Sequence, residues 1–162
     1  LKLVGKERFS YPLDMGLTYR GKRILGDNKT LKGPVVMSFF TGLYGLLLVT
    51  KFKLDSAFGF SGQYIFYYYS LVGFMYSLGE LPNSFLKRQL SIPPGGISKK
   101  KMERYLFILL DTFDSLLACS IVYFLLFKFP VYAILISILI GGCLHLLTDR
   151  LMIVLRLKTR NQ

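Results

Sequence analysis

The sequence predicts an all-α fold, a polytopic bundle of four transmembrane helices in a single integral membrane domain over residues 1–162. Hydrophobic residues make up 52% of the chain, and the mean hydropathy of +0.45 is too high for an ordinary basic soluble domain. Four apolar segments approach the roughly 20 residues that cross about 30 Å of hydrocarbon. Most of the Lys and Arg residues behind the net charge of +12 lie outside those segments, a pattern that disfavours nucleic acid as a partner.

The four apolar segments are predicted to span the membrane at residues 34–50, 64–81, 105–127 and 131–147. Soluble core helices are the alternative, but four of them in a chain of 162 residues would leave too little polar surface to enclose them. Gly42 and Gly45 in the first span permit close helix packing in a membrane. The second span begins in the aromatic run QYIFYYYSLVGFMY, which is typical of a membrane interface.

Charge asymmetry predicts the orientation of the bundle. Eighteen of the 21 Lys and Arg residues fall before the first span, between the second and third spans, or after the fourth. Because basic residues concentrate on the cytoplasmic side, segment 1–33, loop 82–104 and the tail are predicted to be cytoplasmic. We therefore expect a multi-pass protein of the cell membrane whose loops form a site on the cytoplasmic side. The chain opens at Leu1 without a methionine, and a fifth, amino-terminal span absent from this sequence is a further expectation.

The first basic segment contains GKRILGDNKTLKG at residues 21–33, which has the composition of a phosphate-binding loop. Glycine lets the backbone approach a phosphate closely, and Lys and Arg supply positive charge. The spacing does not match a Walker motif. A basic loop that binds lipid headgroups is the alternative interpretation of this segment alone. Asp27 can bind a metal or cap a helix at Lys29.

The second basic segment reads GELPNSFLKRQLSIPPGGISKKK and starts with polar residues at helical spacing. Glu80, Ser84 and either Lys87 or Arg88 can share one helix face. The Pro-Pro-Gly-Gly sequence at residues 93–96 predicts a break before the next span. A helix-end charge pair and a basic lipid-binding cluster are the alternatives for this segment.

Two aspartates inside the third span are the most informative feature of the sequence. Asp111 and Asp114 lie roughly 9 and 13 Å from a helix start at Tyr105, one turn apart and on the same face. Each ionised Asp near the membrane centre costs about 2.5 to 3.5 kcal/mol, so a bound ligand or a water-filled cavity must compensate the pair. Paired carboxylates are a natural site for Mg²⁺, which prefers oxygen ligands and is shared with substrate phosphates.

The aspartate pair has two other interpretations. One is an interhelical hydrogen bond or ion pair, for example with Lys87. The other is a proton or cation pathway, which is disfavoured because the other spans carry few polar residues. His145, near the end of the fourth span, is interpreted as a hydrogen-bonded packing residue rather than a ligand.

The chain resembles the CDP-archaeol synthases in four successive motifs: PLDMGLTYRGKRILGDNKTLKG, GELPNSFLKRQLSIPPG, LLDTFDSL and HLLTDRLMIVLRLK. Together they cover most of residues 12–158. That family is related to the phosphatidate cytidylyltransferases, whose signature combines a Lys-Arg helix, an Ile-Pro-Gly turn and an Asp-x-x-Asp-Ser pair. The matching positions here are Lys87-Arg88, Ile92-Pro93 with Gly95-Gly96, and Asp111 to Ser115.

The resemblance implies an enzyme that transfers a cytidylyl group from CTP to a membrane lipid phosphate. The expected lipid is unsaturated archaetidic acid, digeranylgeranylglyceryl phosphate, and the products are a CDP-activated lipid for phospholipid biosynthesis and pyrophosphate. Thr112, Phe113 and Ser115 depart from the archaeal pattern, and Ser115 is similar to the bacterial enzymes. A phosphatidate cytidylyltransferase that makes CDP-diacylglycerol is therefore the alternative. A noncatalytic membrane scaffold that binds anionic lipids is the alternative of another class.

The resemblance also implies the site residues. Asp111 and Asp114 are expected to bind Mg²⁺, with Glu80 as a weaker third ligand because the related enzymes more often carry Asp there. The expected catalytic residues are Asp111, Asp114 and Lys87. The residues expected to bind CTP or the lipid phosphate are Arg23, Asn28, Lys29, Thr30, Lys87 and Arg88. No covalent nucleophile is needed, because positioning and charge neutralisation carry this reaction.

Overall fold

The computed structural model describes residues 11–53 and 62–155. Its four helices are α1 (Lys32–Phe52), α2 (Gly62–Gln89), α3 (Lys101–Leu125) and α4 (Val131–Val154). A short antiparallel hairpin of β1 (Thr18–Tyr19) and β2 (Lys22–Arg23) precedes α1, with Thr18 opposite Arg23. Six basic residues that contribute to the predicted orientation lie outside the described residues: Lys2, Lys6, Arg8, Arg156, Lys158 and Arg160.

Three of the described helices, α1, α3 and α4, are long and apolar enough to cross a membrane. They coincide with three of the four predicted spans, so helix length and composition make this chain a membrane protein. Helix α2 has 28 residues but is less apolar on average than the others, and its last turns carry Glu80, Asn83, Lys87 and Arg88. That α2 also crosses the membrane, as the second of the four predicted spans, stays a prediction.

The all-α class is confirmed, with one short hairpin beside the helices, and the predicted loop 82–104 needs correction. The hairpin adds a two-stranded sheet, because Arg20 and Gly21 both adopt positive φ and form the kind of two-residue turn that matches strand twist. The loop is shorter than predicted, since α2 continues to Gln89 and α3 begins at Lys101. No glycine or proline occurs between Pro82 and Gln89, so the helix continues until Ser91 adopts positive φ and the Ser91 and Ile92 N–H groups donate to the Arg88 and Lys87 carbonyls.

Glycines set the closest contacts between helices. A Cβ added to Gly45 of α1 would lie 2.2 Å from Cγ of Tyr69 on α2. At Gly79 of α2, an added Cβ would lie 2.7 Å from the backbone oxygen of Asp114 on α3. A Cβ added to Gly142 of α4 would lie 2.7 Å from Cε1 of Phe113 on α3. Small residues therefore let the backbones approach, and the polar end of α2 is held against the aspartates of α3.

Candidate active site

A cleft of about 620 Å³ opens where the amino-terminal loop, α2, the 90–100 connection, α3 and α4 meet. Acidic and basic side chains line it together. The carboxylates are Glu80, Asp111, Asp114 and Asp149. The cations are Lys29, Lys87, Arg88 and Arg104. Charges of both signs in one cleft suit a ligand that carries phosphates together with a divalent cation.

Asn83 of α2 links the two aspartates of α3. Its amide nitrogen donates to Oδ1 of Asp111 at 2.6 Å and to Oδ2 of Asp114 at 3.2 Å. The Asn83 side chain is buried, and its Oδ1 has no hydrogen-bond partner among the described residues. Asp114 also accepts hydrogen bonds from the backbone N–H and hydroxyl of Ser115 at 2.6 and 3.1 Å. The carboxylate pair is thus oriented by donors from two helices.

Lys87 forms an ion pair with the first of these aspartates. Its ammonium donates to both carboxylate oxygens of Asp111 at 2.6 and 2.7 Å. The side chain of Asp111 is nevertheless 49% exposed, and it lines the cleft. The structure therefore contains two features that can offset the cost of these charges, a polar cavity and a cationic partner.

Lys29 joins the amino-terminal loop to α2 through an ion pair with Glu80. Asn28 lines the cleft beside it. The structure thus brings Glu80, Lys29 and Asn28 into the same cleft as the aspartates, while the role of Glu80 as a metal ligand stays a prediction.

Arg88 is the strongest electrostatic feature of the cleft. The residue is only 8% exposed, and its Nε and Nη1 atoms have no hydrogen-bond partner among the described residues. An added Cβ at Gly26 would lie 3.4 Å from Cδ of Arg88 and 3.1 Å from Cγ of Pro94, so the loop packs directly on its stem. A buried cation without a partner is costly, and an anion in the cleft would offset that cost.

Asp14 organises the amino-terminal loop, and sequence reasoning missed it. Its buried carboxylate accepts from Arg23 Nη2 at 2.6 Å and from the backbone N–H groups of Leu25 and Gly26 at 2.9 and 3.1 Å. The Arg23 hydrogen bond, helped by the backbone donors, holds the pKa of Asp14 well below its ordinary value despite burial. The same contact raises the pKa of Arg23. These hydrogen bonds fix the turn, and Gly26 packs against Arg88.

Two predicted substrate-binding residues do not line the cleft. Arg23 is engaged by Asp14 and, at 2.9 Å, by the exposed Asp27, and Thr30 pairs with Pro12 in an isolated β-bridge. The prediction that Asp27 caps a helix at Lys29 is wrong, because α1 begins at Lys32. The contacts of Arg23 and Thr30 with substrate stay predictions.

Three titratable residues of the cleft were not assigned to the site from sequence: Arg104, His145 and Asp149. His145 and Asp149 are four residues apart on α4, a spacing that places them on one helix face. That spacing was the available signal, but it does not say which helix the face meets.

Two carboxylates make an incomplete metal site. The described residues contain no group of three or more His, Cys, Asp and Glu side chains able to hold a metal ion. Mg²⁺ is commonly held by one or two carboxylates and completed by substrate phosphates and water. Asp111 and Asp114, with the unpaired Oδ1 of Asn83 beside them, fit that partial set.

Over residues 5–161, the chain matches the family model described as CarS-like, CDP-archaeol synthase. The chain belongs to this family. The CDP-archaeol synthase of Thermofilum pendens is 33% identical over 159 residues, which cover 97% of this chain and 69% of the relative. That of Pyrobaculum islandicum is 31% identical over 160 residues, covering 96% and 85% of the two chains. No solved structure gives a significant match.

We expect Asp14→Asn to loosen the loop of this CDP-archaeol synthase family member. Removing one partner of a buried ion pair should cost about 2 kcal/mol locally, so the Leu25 and Gly26 amides should exchange hydrogen about 30-fold faster. Because the folded-state pKa of Asp14 is depressed, its contribution is present above its ordinary pKa and disappears as pH falls through the lower folded value.

Hydrogen exchange corrected for intrinsic rates checks both statements about Asp14. Wild-type protection of the two amides should persist from neutral pH to below pH about 4, whereas the variant should lack it throughout. Equal protection in the two proteins at pH 7 would contradict the role of Asp14.

Proposed function

We propose that the cleft is the active site at which this chain transfers the cytidylyl group of CTP to unsaturated archaetidic acid. The observation that carries the proposal is the buried, unpartnered guanidinium of Arg88 in the same cleft as the Asp111 and Asp114 carboxylates. One wall is suited to anionic phosphate oxygens, and the other is suited to a divalent cation that the phosphates would share.

Membership of the CDP-archaeol synthase family gives the chain its class of reaction. The chain is a CTP-dependent cytidylyltransferase of lipid biosynthesis, and its substrates are CTP and archaetidic acid, a lipid phosphate. In this reaction an oxygen of the lipid phosphate attacks the α-phosphorus of CTP. The bond from the α-phosphorus to the bridging oxygen breaks, and pyrophosphate leaves with that oxygen.

Different residues of the cleft would bind the substrate phosphates and neutralise their charge. Arg88 is placed to hold a triphosphate or lipid phosphate oxygen through its free Nε and Nη1 atoms. Lys29 and Asn28 approach from the loop, and Arg104 approaches from α3. Lys87 is catalytic in this proposal, because its ammonium can move from Asp111 to the charge that develops on the leaving pyrophosphate.

Asp111 and Asp114 would hold Mg²⁺, with Glu80 as the third candidate ligand. When bound, Mg²⁺ would neutralise charge on the phosphates during transfer. Asn83 fixes the orientation of the two carboxylates through its amide nitrogen. For Asp111 to hold Mg²⁺, Lys87 would have to release the carboxylate, and its ammonium would then be available to a phosphate.

We expect Asn83→Ala to weaken the metal site without removing it. Loss of a group that orients metal ligands typically lowers metal affinity about 10- to 100-fold. The Mg²⁺ concentration for half-maximal turnover should rise by that factor, and saturating Mg²⁺ should restore much of the rate. Initial rates over a Mg²⁺ titration test this. An unchanged half-maximal concentration with a lower maximal rate would contradict the assigned role.

The predicted orientation places this site on the cytoplasmic side of the cell membrane, where CTP is available. Support comes from the basic residues of the loop, of the end of α2 and of the start of α3, which meet at one end of the bundle. In the proposed topology α2 also crosses the membrane, as the second of the four predicted spans, and its length of about 42 Å extends its last turns beyond the hydrocarbon.

Purified protein in detergent tests the reaction and the lipid class together. Labelled CTP and Mg²⁺ are offered with either an unsaturated diether glycerol phosphate or a diacyl phosphatidate, and labelled lipid is extracted and counted. We expect labelled CDP-lipid from the diether substrate. Product from the ester lipid alone would favour a phosphatidate cytidylyltransferase. No product from either lipid, from protein that still binds anionic vesicles, would favour the scaffold.

A further inference from the structure

Two largely apolar cavities continue the polar cleft into the bundle. The first has a volume of about 230 Å³ and shares Thr112 and His145 with the cleft. The second has a volume of about 350 Å³ and shares Leu116 with the first. Because each space shares wall residues with the next, the three lie in series between α3 and α4, beside α2, and together they are called the passage.

The passage follows single faces of the three helices. On α3, Thr112, Leu116 and Tyr123 lie along one stripe and span about 16 Å of helix. On α2, Tyr69 and Tyr76 are seven residues apart and occupy one face. The passage is therefore built into the regular packing of the bundle and is long enough for an extended hydrocarbon chain.

Gly141 lines the first cavity and packs against Leu116, the residue that the two cavities share. A Cβ added there would lie 2.9 Å from Cδ2 of Leu116 on the facing helix. The two serine hydroxyls of the inner cavity are paired within their own helices, because Ser120 donates to the Leu116 carbonyl at 2.7 Å and Ser137 to the Ala133 carbonyl at 2.8 Å. The interior thus suits an apolar ligand, while Thr112 and His145 give the mouth a polar character.

An aromatic cluster closes the far end of the passage. The rings of Tyr123 and Phe129 stack with centroids 5.7 Å apart, and the ring of Phe127 meets that of Tyr69 at 5.7 Å. Both Tyr123 and Phe129 line the inner cavity. A chain that entered from the cleft would end against these rings.

We propose that this passage holds one hydrocarbon chain of the lipid phosphate and that the aromatic cluster sets the longest chain accepted. The inference rests on the proposed function and deepens it. Continuity with the cleft identifies the occupant, since Thr112 lies between Asp111 and Asp114 in sequence and lines both the cleft and the first cavity. The phosphate of a lipid threaded here would emerge beside the carboxylate pair.

Blocking variants test the passage from both walls. Ser120→Phe on α3 and Ser137→Phe on α4 each place a ring in the inner cavity. The substrates are diether glycerol phosphates with geranyl, farnesyl or geranylgeranyl chains, and kcat/KM is measured for each. We expect both variants to lose at least about tenfold on the geranylgeranyl substrate relative to the geranyl substrate. Phe129→Ala should shift the preference of the enzyme towards longer chains.

Thr50→Phe is the matched control for the blocking variants. Its hydroxyl also donates to a carbonyl of its own helix, that of Leu46 at 2.7 Å, and Thr50 is exposed on α1 outside the passage. Chain-length preference should not change in this control. If the blocking variants lower kcat/KM equally for all chain lengths, or change only the oligomeric state, the passage proposal is overturned. Absence of turnover by the wild-type protein on every lipid would instead overturn the proposed function.

Discussion

Replacing Asp111 or Asp114 with Asn is expected to lower kcat by about 10³-fold or more while the bundle stays folded. Each change removes a negative charge from the proposed metal site, and metal-based stabilisation of phosphate charge is worth several kcal/mol in the transition state. The amide retains the shape of the carboxylate, so packing at Gly79 and Ser115 is preserved. Formation of labelled CDP-lipid gives the rate, and far-ultraviolet circular dichroism with gel filtration checks the fold.

Asp27→Asn provides a control for the loss of one carboxylate. Asp27 is exposed, pairs with Arg23 and does not line the cleft, so its variant should keep activity within about threefold of the wild-type protein. Full CTP-dependent activity in a protein with both Asp111→Asn and Asp114→Asn would exclude the proposed metal site.

A double variant separates the metal role of Asp111 from the ion pair that the structure shows. If Asp111 served only to neutralise Lys87, then Asp111→Asn combined with Lys87→Met would remove both charges and recover activity. We expect no recovery, because the proposal uses the carboxylate for the metal and the ammonium for a phosphate. Recovery to near the wild-type rate would support the structural ion pair.

Arg88→Met is expected to stabilise the ligand-free protein and to abolish tight CTP binding. Met fills much of the same volume without burying a charge that lacks a partner, so the free energy of unfolding should rise by about 1 kcal/mol or more. CTP affinity should fall at least about 100-fold, because a buried charge pair with a phosphate could no longer form. Thermal unfolding with and without CTP measures both effects in one experiment.

Two further substitutions define what Arg88 contributes. Arg88→Lys keeps the charge but loses the planar fork of donors, so CTP affinity should be intermediate. Arg150→Met removes an exposed charge from α4 and should change neither stability nor CTP binding appreciably. Unchanged CTP affinity in Arg88→Met would contradict the assignment of the buried guanidinium to phosphate binding.

The sequence predicted the parts of the site that lie within single helices. Asp111 and Asp114 fall one turn apart, and Glu80 and Lys87 share a face of α2, because helical periodicity fixes these relations locally. Length and apolar content likewise predicted the helices. The ends of the helices were predicted less accurately, because residues 82–89 continue α2 where a loop was predicted.

The remaining parts of the site depend on which elements become neighbours. Nothing local to Asn83 shows that its amide reaches both aspartates of another helix, or that Asp149 joins the same cleft from α4. Asp14 was missed for a related reason, because a turn in which Arg23 and the Leu25 and Gly26 N–H groups donate to it exists only after the loop has folded. Long-range packing, rather than residue type, decides these contacts.

The most direct test of the central claim follows the label of CTP through the reaction. Purified protein receives an unsaturated diether glycerol phosphate and CTP labelled either at the α-phosphorus or at the γ-phosphorus, with and without Mg²⁺. We expect the α label to enter the lipid fraction only with Mg²⁺ and the γ label to be released as pyrophosphate. The Asp111→Asn/Asp114→Asn protein should produce neither labelled product. Transfer of the γ label to the lipid, or transfer of the α label that requires neither Mg²⁺ nor the two aspartates, would contradict the proposed reaction.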